Sequence, residues 1–460
     1  MAISVKRFLR LWVFMLLSQV VFAGSLLGYT EEGYKQLIED CEKRYAHAPY
    51  DEGLKQELSA LYHNFAMSLA EEGLWSEAIE SSERAYAISP DVPKIREGLA
   101  YLYNCRGLEY KDDSDYKKAV DDLKRAIDYA PGEDVLKKNI SGIYLSWAQD
   151  FFEKCEYDNA ERMLVHVARY EEDNPYLYVI RGEIAYLRDN YYSTKENWQK
   201  ALQLNPSLYN IRRKLDKLNK EQDIERNFSV REVENFKLKF EGMDAEKLAD
   251  DAAEILRSAY RDVGKDFDLY PRATVPVIIY PAVNVKDLSY FPDWAAGSYD
   301  GKIRFREDLG NNMSNMKATL YHEYTHVLVR MLGGDNVPLW LNEGLAEYQA
   351  GRFLSAKEKK VREEMVQRAV EKDAVFSVDK LGNMDLNKLS YLSPHRITLV
   401  YAQSESFVGY MISRASLYDM RKLLIKLKQG VNIYKAVKDV LFVDLDVLEK
   451  DWLNNYNDLK

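Results

Sequence analysis

Residues 28–226 carry apolar positions at the three-to-four-residue step of amphipathic helices, with almost no glycine or proline inside the runs. Proline returns at Pro49, Pro90 and Pro131, at two equal intervals. Three other classes keep the same step: aromatic Tyr62, Tyr103, Tyr144 and Tyr178; small Ala66, Gly107, Ala148 and Gly182; and Ala78, Ala119, Ala160 and Thr194, each spaced 41, 41 and 34. Chance does not hold separate chemical classes in one register, so the pattern predicts an internal repeat. Within one unit the aromatic and the small residue lie four apart, on one face of a helix, and the alanine of a second helix follows twelve places after the small one. Ala85, Ala126 and Ala201, each five places before a proline, give that second helix its own point of close contact. Residues 208–226, dense in charge, are expected to form a capping helix and linker.

The pattern changes after Phe228. Residues 236–240 alternate apolar and basic, as a half-buried strand does, and residues 275–280 read as a buried strand. Residues 245–263 between them have helical spacing, and residues 297–305 begin with a turn signal and continue as a strand. An α-helical repeat solenoid over 28–226, followed by an α+β domain over 227–460, is the expected architecture.

Composition narrows the function. A chain of 460 residues suits two or three folded units, and 47% hydrophobic with 30% charged residues excludes a disordered or collagen-like chain. Lys+Arg 64 against Asp+Glu 74 gives a net charge of −10 with no basic block, which argues against a nucleic-acid partner. Cys41, Cys105 and Cys155 form no CxxC pair and read as small core residues. At the N-terminus Lys6, Arg7 and Arg10 precede an uncharged, apolar-rich run over 11–23, short of the roughly 20 residues a membrane span needs. This reads as a secretory signal over 1–23, cleaved after Ala23, so the mature chain is expected to be soluble and exported, periplasmic or extracellular. An uncleaved single anchor is the alternative, and no other stretch approaches spanning length.

The chemistry concentrates in His322-Glu323-Tyr-Thr-His326, which holds two of only six histidines. On a helix the residues i and i+4 turn both imidazoles toward one point, with Glu323 beside them, as a tetrahedral zinc with an adjacent general base requires. Val327, Leu328 and Leu332 continue the helix, and Gly333-Gly334 end it. A further histidine ligand in an HExxHxxGxxH pattern is excluded, because Val329 and Leu332 stand at the required places. The third ligand is expected from a following helix opened by Pro338, which brings in Glu343. Glu347, one turn later, is suited to accept a ligand imidazole N–H. The strand at 302–305 is a candidate to pair with an extended substrate.

Two resemblances bear on these readings. Tyr103, Gly107, Tyr110, Ala119, Leu123, Ala126 and Pro131 resemble the tetratricopeptide repeat, although the longer units exceed that family's length by about two helical turns. The resemblance implies stacked helix pairs with a concave surface, either a docking groove for a peptide or protein partner or a spacer. The run WLNEGLAEY after HEYTH resembles the gluzincin metallopeptidases, in particular the peptidase MA-like group often fused to such repeats, over about residues 235–410. It implies His322, His326 and Glu343 as zinc ligands and Glu323 as the catalytic carboxylate. It also implies an oxyanion donor on a later helix, Tyr401 or its competitor His395. Residues 296–300 occupy the place of the aminopeptidases' GxMEN segment without its Glu, so an endopeptidase is expected. The expected whole is an exported zinc metallopeptidase acting on a peptide or protein substrate. The rival is a non-catalytic repeat scaffold with a vestigial metal domain, against which the intact Glu323 counts. A fragment starting near Arg226 is expected to fold and bind zinc alone.

Overall fold

The computed structural model describes residues 29–242, 244–281, 297–384, 388–389 and 391–457. The leader read at residues 1–23 lies outside them. Among the described residues no helix is long and apolar enough to cross a membrane.

The repeats are helix pairs. After α1 (Glu31–His47) come α2 (Glu52–Glu71) with α3 (Trp75–Ile88), α4 (Pro93–Asp112) with α5 (Tyr116–Tyr129), α6 (Asp134–Glu153) with α7 (Tyr157–Tyr170), and α8 (Pro175–Leu187) with α9 (Tyr191–Leu204). The first helix of each longer repeat has 20 residues and that of the last repeat 13, whereas every second helix has 14. The seven additional residues are therefore all in the first helix, two turns that keep its faces in phase. The tight turn between partners sets one residue in the left-handed region at the same repeat position: Gly73, Ser114, Cys155 and Asp189, with φ of 80°, 63°, 56° and 56°. Only the first is glycine, so the other three hold a conformation that L residues rarely adopt. Cys155 is thus a turn residue, half-buried like Cys105, and Cys41 alone is buried.

The described residues fall into two compact units, one up to residue 147 together with 165–172 and one of residues 148–164 together with those from 173 on. In the first, Tyr62 donates to Glu42 and Tyr103 to Glu83, each at 2.5 Å. Arg84 and Arg125 donate to the same two phenols, so one set of bonds recurs at the step of the repeat.

The second unit takes in α8, α9 and the capping helix α10 (Tyr209–Ile224), then β1 (Ser229–Val233), β2 (Phe236–Phe240), α11 (Asp244–Phe267), β3 (Val275–Tyr280), β4 (Gly297–Tyr299) and β5 (Ile303–Arg306). Helices α12 (Met313–Gly333), α13 (Leu339–Ala350), α14 (Ala356–Glu371), α15 (Val378–Gly382), α16 (Pro394–Arg414), α17 (Leu417–Lys428), α18 (Ile433–Leu441) and α19 (Leu445–Asn457) follow. The sheet order is β1-β2-β3-β5-β4, with β1 antiparallel to β2, β4 antiparallel to β5, and β2, β3 and β5 parallel. One face, with Phe236, Leu238, Val277, Ile279, Ile303 and Phe305, belongs to the main apolar core.

The other face is where the structure departs from expectation. The lysines of the apolar-basic alternation do not all point to water: Lys239, Lys302 and Arg304 are buried, and α8 to α10 bring carboxylates to them. Lys302 Nζ lies 2.9 Å and Lys239 Nζ 3.2 Å from Asp189. Lys239 also pairs with Glu225, to which Tyr280 and Tyr191 donate at 2.6 and 2.5 Å. Arg304 donates to Glu221 at 2.9 Å and pairs with Asp300, while Tyr186 donates to Glu221 at 2.9 Å. The Lys302 ammonium lies 4.2 Å from the Tyr186 ring centroid. The expected division at Arg226 therefore falls inside a compact unit, because buried cations of the sheet find their counter-charges on the last repeat.

Candidate metal centre

Helix α12 starts at Asn312, whose side chain accepts from the N–H groups of Ser314 and Asn315, and ends at Gly334 with φ 64°. It turns His322 and His326 toward α13, with Glu323 beside them toward Gly297 of β4. Pro338 proves to be the N-cap of α13, one place earlier than expected, and the helix brings Glu343 and Glu347 to the same point. Gly344 makes the next approach close: a Cβ there would meet the Ser404 carbonyl oxygen at 2.5 Å, so α16 lies directly on α13 and delivers Tyr401 and Glu405.

His322, His326 and Glu343 offer ligand atoms all within 4.8 Å of one another, the one such group among the described residues. The two Nε2 atoms are 3.0 Å apart and stand 3.4 and 3.5 Å from Glu343 Oε2. Bonds of about 2.0–2.1 Å to one tetrahedral ion would space three such ligands by about 3.3 Å. The outer ring nitrogens are engaged: His322 Nδ1 lies 3.3 Å from Glu347 Oε1, and His326 Nδ1 is 3.0 Å from Asn342 Oδ1. With Nδ1–H donating outward, both Nε2 atoms present lone pairs to each other and to a buried Glu343 oxygen that has no hydrogen-bond partner. A cation between them would reconcile that arrangement, and the residues fit one.

The electrostatics agree. Burial works against charge on His322, but Glu343 and Glu347 outweigh it and raise its pKa well above the usual imidazole value; His326 is raised too, against burial, by Glu343. Burial likewise pushes Glu343 and Glu347 up, yet the imidazoles bring both down, with Arg362 helping to hold Glu347 at about 2. The pocket thus demands positive charge, supplied by protons on imidazole or by a metal that displaces them. Glu323 is different. Burial raises its pKa more than the histidines lower it, and its Oε2 is buried without a hydrogen-bond partner.

A cleft of about 340 Å³ opens beside the cluster, lined by Gly297, Thr319, Glu323, Arg362, Ile397 and Tyr401 among others. The Tyr401 ring centroid is 6.5 Å from that of His322, and burial, then the nearby glutamates, raise its pKa, which keeps it an O–H donor. His395, the competitor, is exposed and does not line this cleft. Strand β5 is not the free edge that the substrate-pairing expectation needs, since it is flanked by β3 and β4. Among the described residues the edge on that side is β4, where a Cβ on Gly297 would meet Glu323 Oε1 at 2.7 Å, so this strand runs against the candidate base. Sequence reasoning missed Asn342, Arg362 and Glu405. Asn342 had a signal, as the neighbour of a ligand inside the WLNEG run; the other two lie on separate helices with no spacing to betray them.

Residues 265–457 match the family model of the Peptidase MA superfamily. That segment holds α12, α13, the cleft and the helices after it, so the stretch similar to this family and the His/His/Glu cluster coincide. The match begins beyond β1 and β2, which the structure nevertheless pairs into the same sheet. No curated protein matches the chain. Among solved structures, one titled MamA MSR-1 C2 is similar at 19% identity with a TM-score of 0.22, covering 36% of this chain and 87% of that one. A thermophilic TPR protein of Thermus thermophilus is similar at 18% identity with a TM-score of 0.18, covering 41% and 91%.

Proposed function

We propose that the chain is an exported zinc metallopeptidase, an endopeptidase whose repeats dock the protein substrate or a partner. The convergence of His322, His326 and Glu343 beside a buried Glu323 carries this reading. Zinc bound there would acidify a water in its open position and polarise the scissile carbonyl. Glu323 takes the proton of the attacking water on its carboxylate and returns it to the leaving amine, and its raised pKa suits both halves of that transfer. Tyr401, which lines the cleft, is the residue to donate a phenol O–H to the carbonyl oxygen as negative charge develops there. Glu347 and Asn342 hold the two imidazoles with Nε2 turned inward. Edge strand β4 offers main-chain groups to an extended peptide, which supports cleavage within a chain rather than at a gripped terminus. Docking by the repeats is supported by a cleft of about 380 Å³ in the first unit, with Tyr62 and Phe65 among its lining and Glu42, Glu77 and Glu80 around them. Export rests on the leader read at residues 1–23.

The deciding experiment is Glu323→Gln. The variant should hold one zinc per chain and keep the parent's fold, yet lose about 10²- to 10⁴-fold in hydrolysis of a denatured protein mixture, because an amide cannot accept the water proton. Cleavage at the parent's rate would overturn the mechanism.

A further inference from the structure

The glutamate beside His322 does not stand alone. Glu347 Oε1 faces His322 Nδ1 at 3.3 Å, and its Oε2 accepts from Arg362 Nη1 at 2.5 Å. The same Nη1 donates to Glu405 Oε2 at 2.7 Å. Glu405's other oxygen lies near Gly351, where an added Cβ would sit 3.0 Å from it, so this carboxylate stands at the end of α13. Three helices thus contribute in series, with Glu405 on α16, Arg362 on α14 and Glu347 on α13, ending on a histidine of α12. The Glu347 side chain is 13% exposed, Glu405 22% and Arg362 32%, so the chain of contacts is only partly open to water. The arginine's helix is itself anchored at its start, because Ser355 and Glu358 cap each other there.

We infer that Arg362 is a positioning residue for the metal site: held by Glu405, it fixes Glu347 so that the glutamate orients His322. This rests on the metal reading above. The physical need is plain from the charges. Glu323, Glu343, Glu347 and Glu405 crowd one small region, and Arg362 is the cation placed between the last two. Without it, Glu347 and Glu405 repel, and Glu347 has every reason to swing toward water and leave the His322 ring free to rotate. A guanidinium meets this need from a helix packed outside the ligand helices, and a lysine would do so only as a point charge.

The test uses the full chain in four forms: parent, Arg362→Met, Glu347→Gln and the double variant, with Arg362→Lys as the conservative replacement. Zinc affinity is read by competition with a chromophoric chelator, and thermal unfolding of the metal-free proteins is recorded beside it. Glu347→Gln should weaken zinc about 10- to 100-fold, the usual cost of losing an outer partner of a ligand, and Arg362→Met should weaken it severalfold, by no more than that. Arg362→Lys should recover part of that loss. In the Glu347→Gln background, Arg362→Met should add little, because its influence passes through Glu347. Unchanged affinity in Arg362→Met, or an equal loss in both backgrounds, would overturn the inference. A parent chain that takes up no zinc would instead overturn the metal site itself, and this inference with it. Should Arg362→Met not fold, Arg362→Gln takes its place in the same cycle.

Discussion

The contact between Glu221 and Arg304 lends itself to a quantitative test. Both side chains are 0% exposed and 2.9 Å apart, with Tyr186 donating to the same glutamate oxygen and Asp300 pairing with the same arginine. Glu221→Leu leaves Arg304 buried with one counter-charge fewer, and Arg304→Met does the reverse. Removing one partner of such a pair costs about 3–5 kcal/mol, a large share of the roughly 5–15 kcal/mol by which domains are stable. At about 2–4 °C per kcal/mol for a large domain, each single variant should lower the melting temperature of the second unit by roughly 6–20 °C. The double variant replaces both charges by apolar groups, and its cost should fall short of the summed singles by about 2 kcal/mol or more. Denaturant titration of the full-length chains, with zinc content as a check on the site, supplies all four corners of the cycle. Singles within about 0.5 kcal/mol of the parent, with an additive double, would mean that these charges are hydrated and independent, and the account of the sheet's covered face would be refuted. The same reasoning predicts that a chain starting at residue 227 will not fold, since it loses Asp189, Glu221 and Glu225 together, whereas one starting at residue 148 will.

Three further outcomes are expected. His322→Ala and Glu343→Ala should each reduce bound zinc from about one per chain to near none, measured by metal analysis after dialysis; full retention in both would dismiss the ligand assignment. Gly297→Ala should keep zinc but lower kcat about ten- to a hundredfold, because the new methyl displaces Glu323 and Thr319 from 2.7 and 2.8 Å. In the first unit, burial and then Lys94 bring the His63 pKa down to about 4. A folded pKa below the unfolded value of about 6.5 means that the protein is most stable above that value and loses up to about 3 kcal/mol as pH falls through about 4. Urea midpoints of the parent and of His63→Leu at about pH 7 and about pH 4.5 check this, and an equal pH slope in the two would count against it.

Much of the site was legible because its first elements are local. His322 and His326 are brought together by one helical turn, which spacing alone predicts, and Glu343 by a short connection to the next helix, where the WLNEGLAEY run marks it. The repeat was legible for a similar reason: each unit packs on its neighbours, which forces the same residue classes to recur at 41, 41 and 34. Even the difference of seven between the two unit lengths has a local meaning, two whole turns added to one helix of each pair. Arg362 and Glu405 could not be read this way. They act from two separate later helices, and no short spacing marks an arginine that will bridge two carboxylates over one that will sit in water.

The sequence by itself determined the helical array, the α+β domain after it and the residues that could hold a metal, because helix periodicity and i, i+4 geometry depend only on neighbours along the chain. Tertiary structure alone decided what covers each face. Alternating apolar and basic residues in β2 read the same whether the lysines meet water or carboxylates at the α8–α9 turn and just past α10, since those counter-charges lie 14 or more residues away along the chain. Likewise, the identity of the edge strand depends on which strands pair, and that is settled by long-range hydrogen bonding rather than by any strand's own pattern. For the same reason the boundary between the repeats and the α+β region, drawn at a change in sequence texture, does not coincide with the boundary that buried charge imposes.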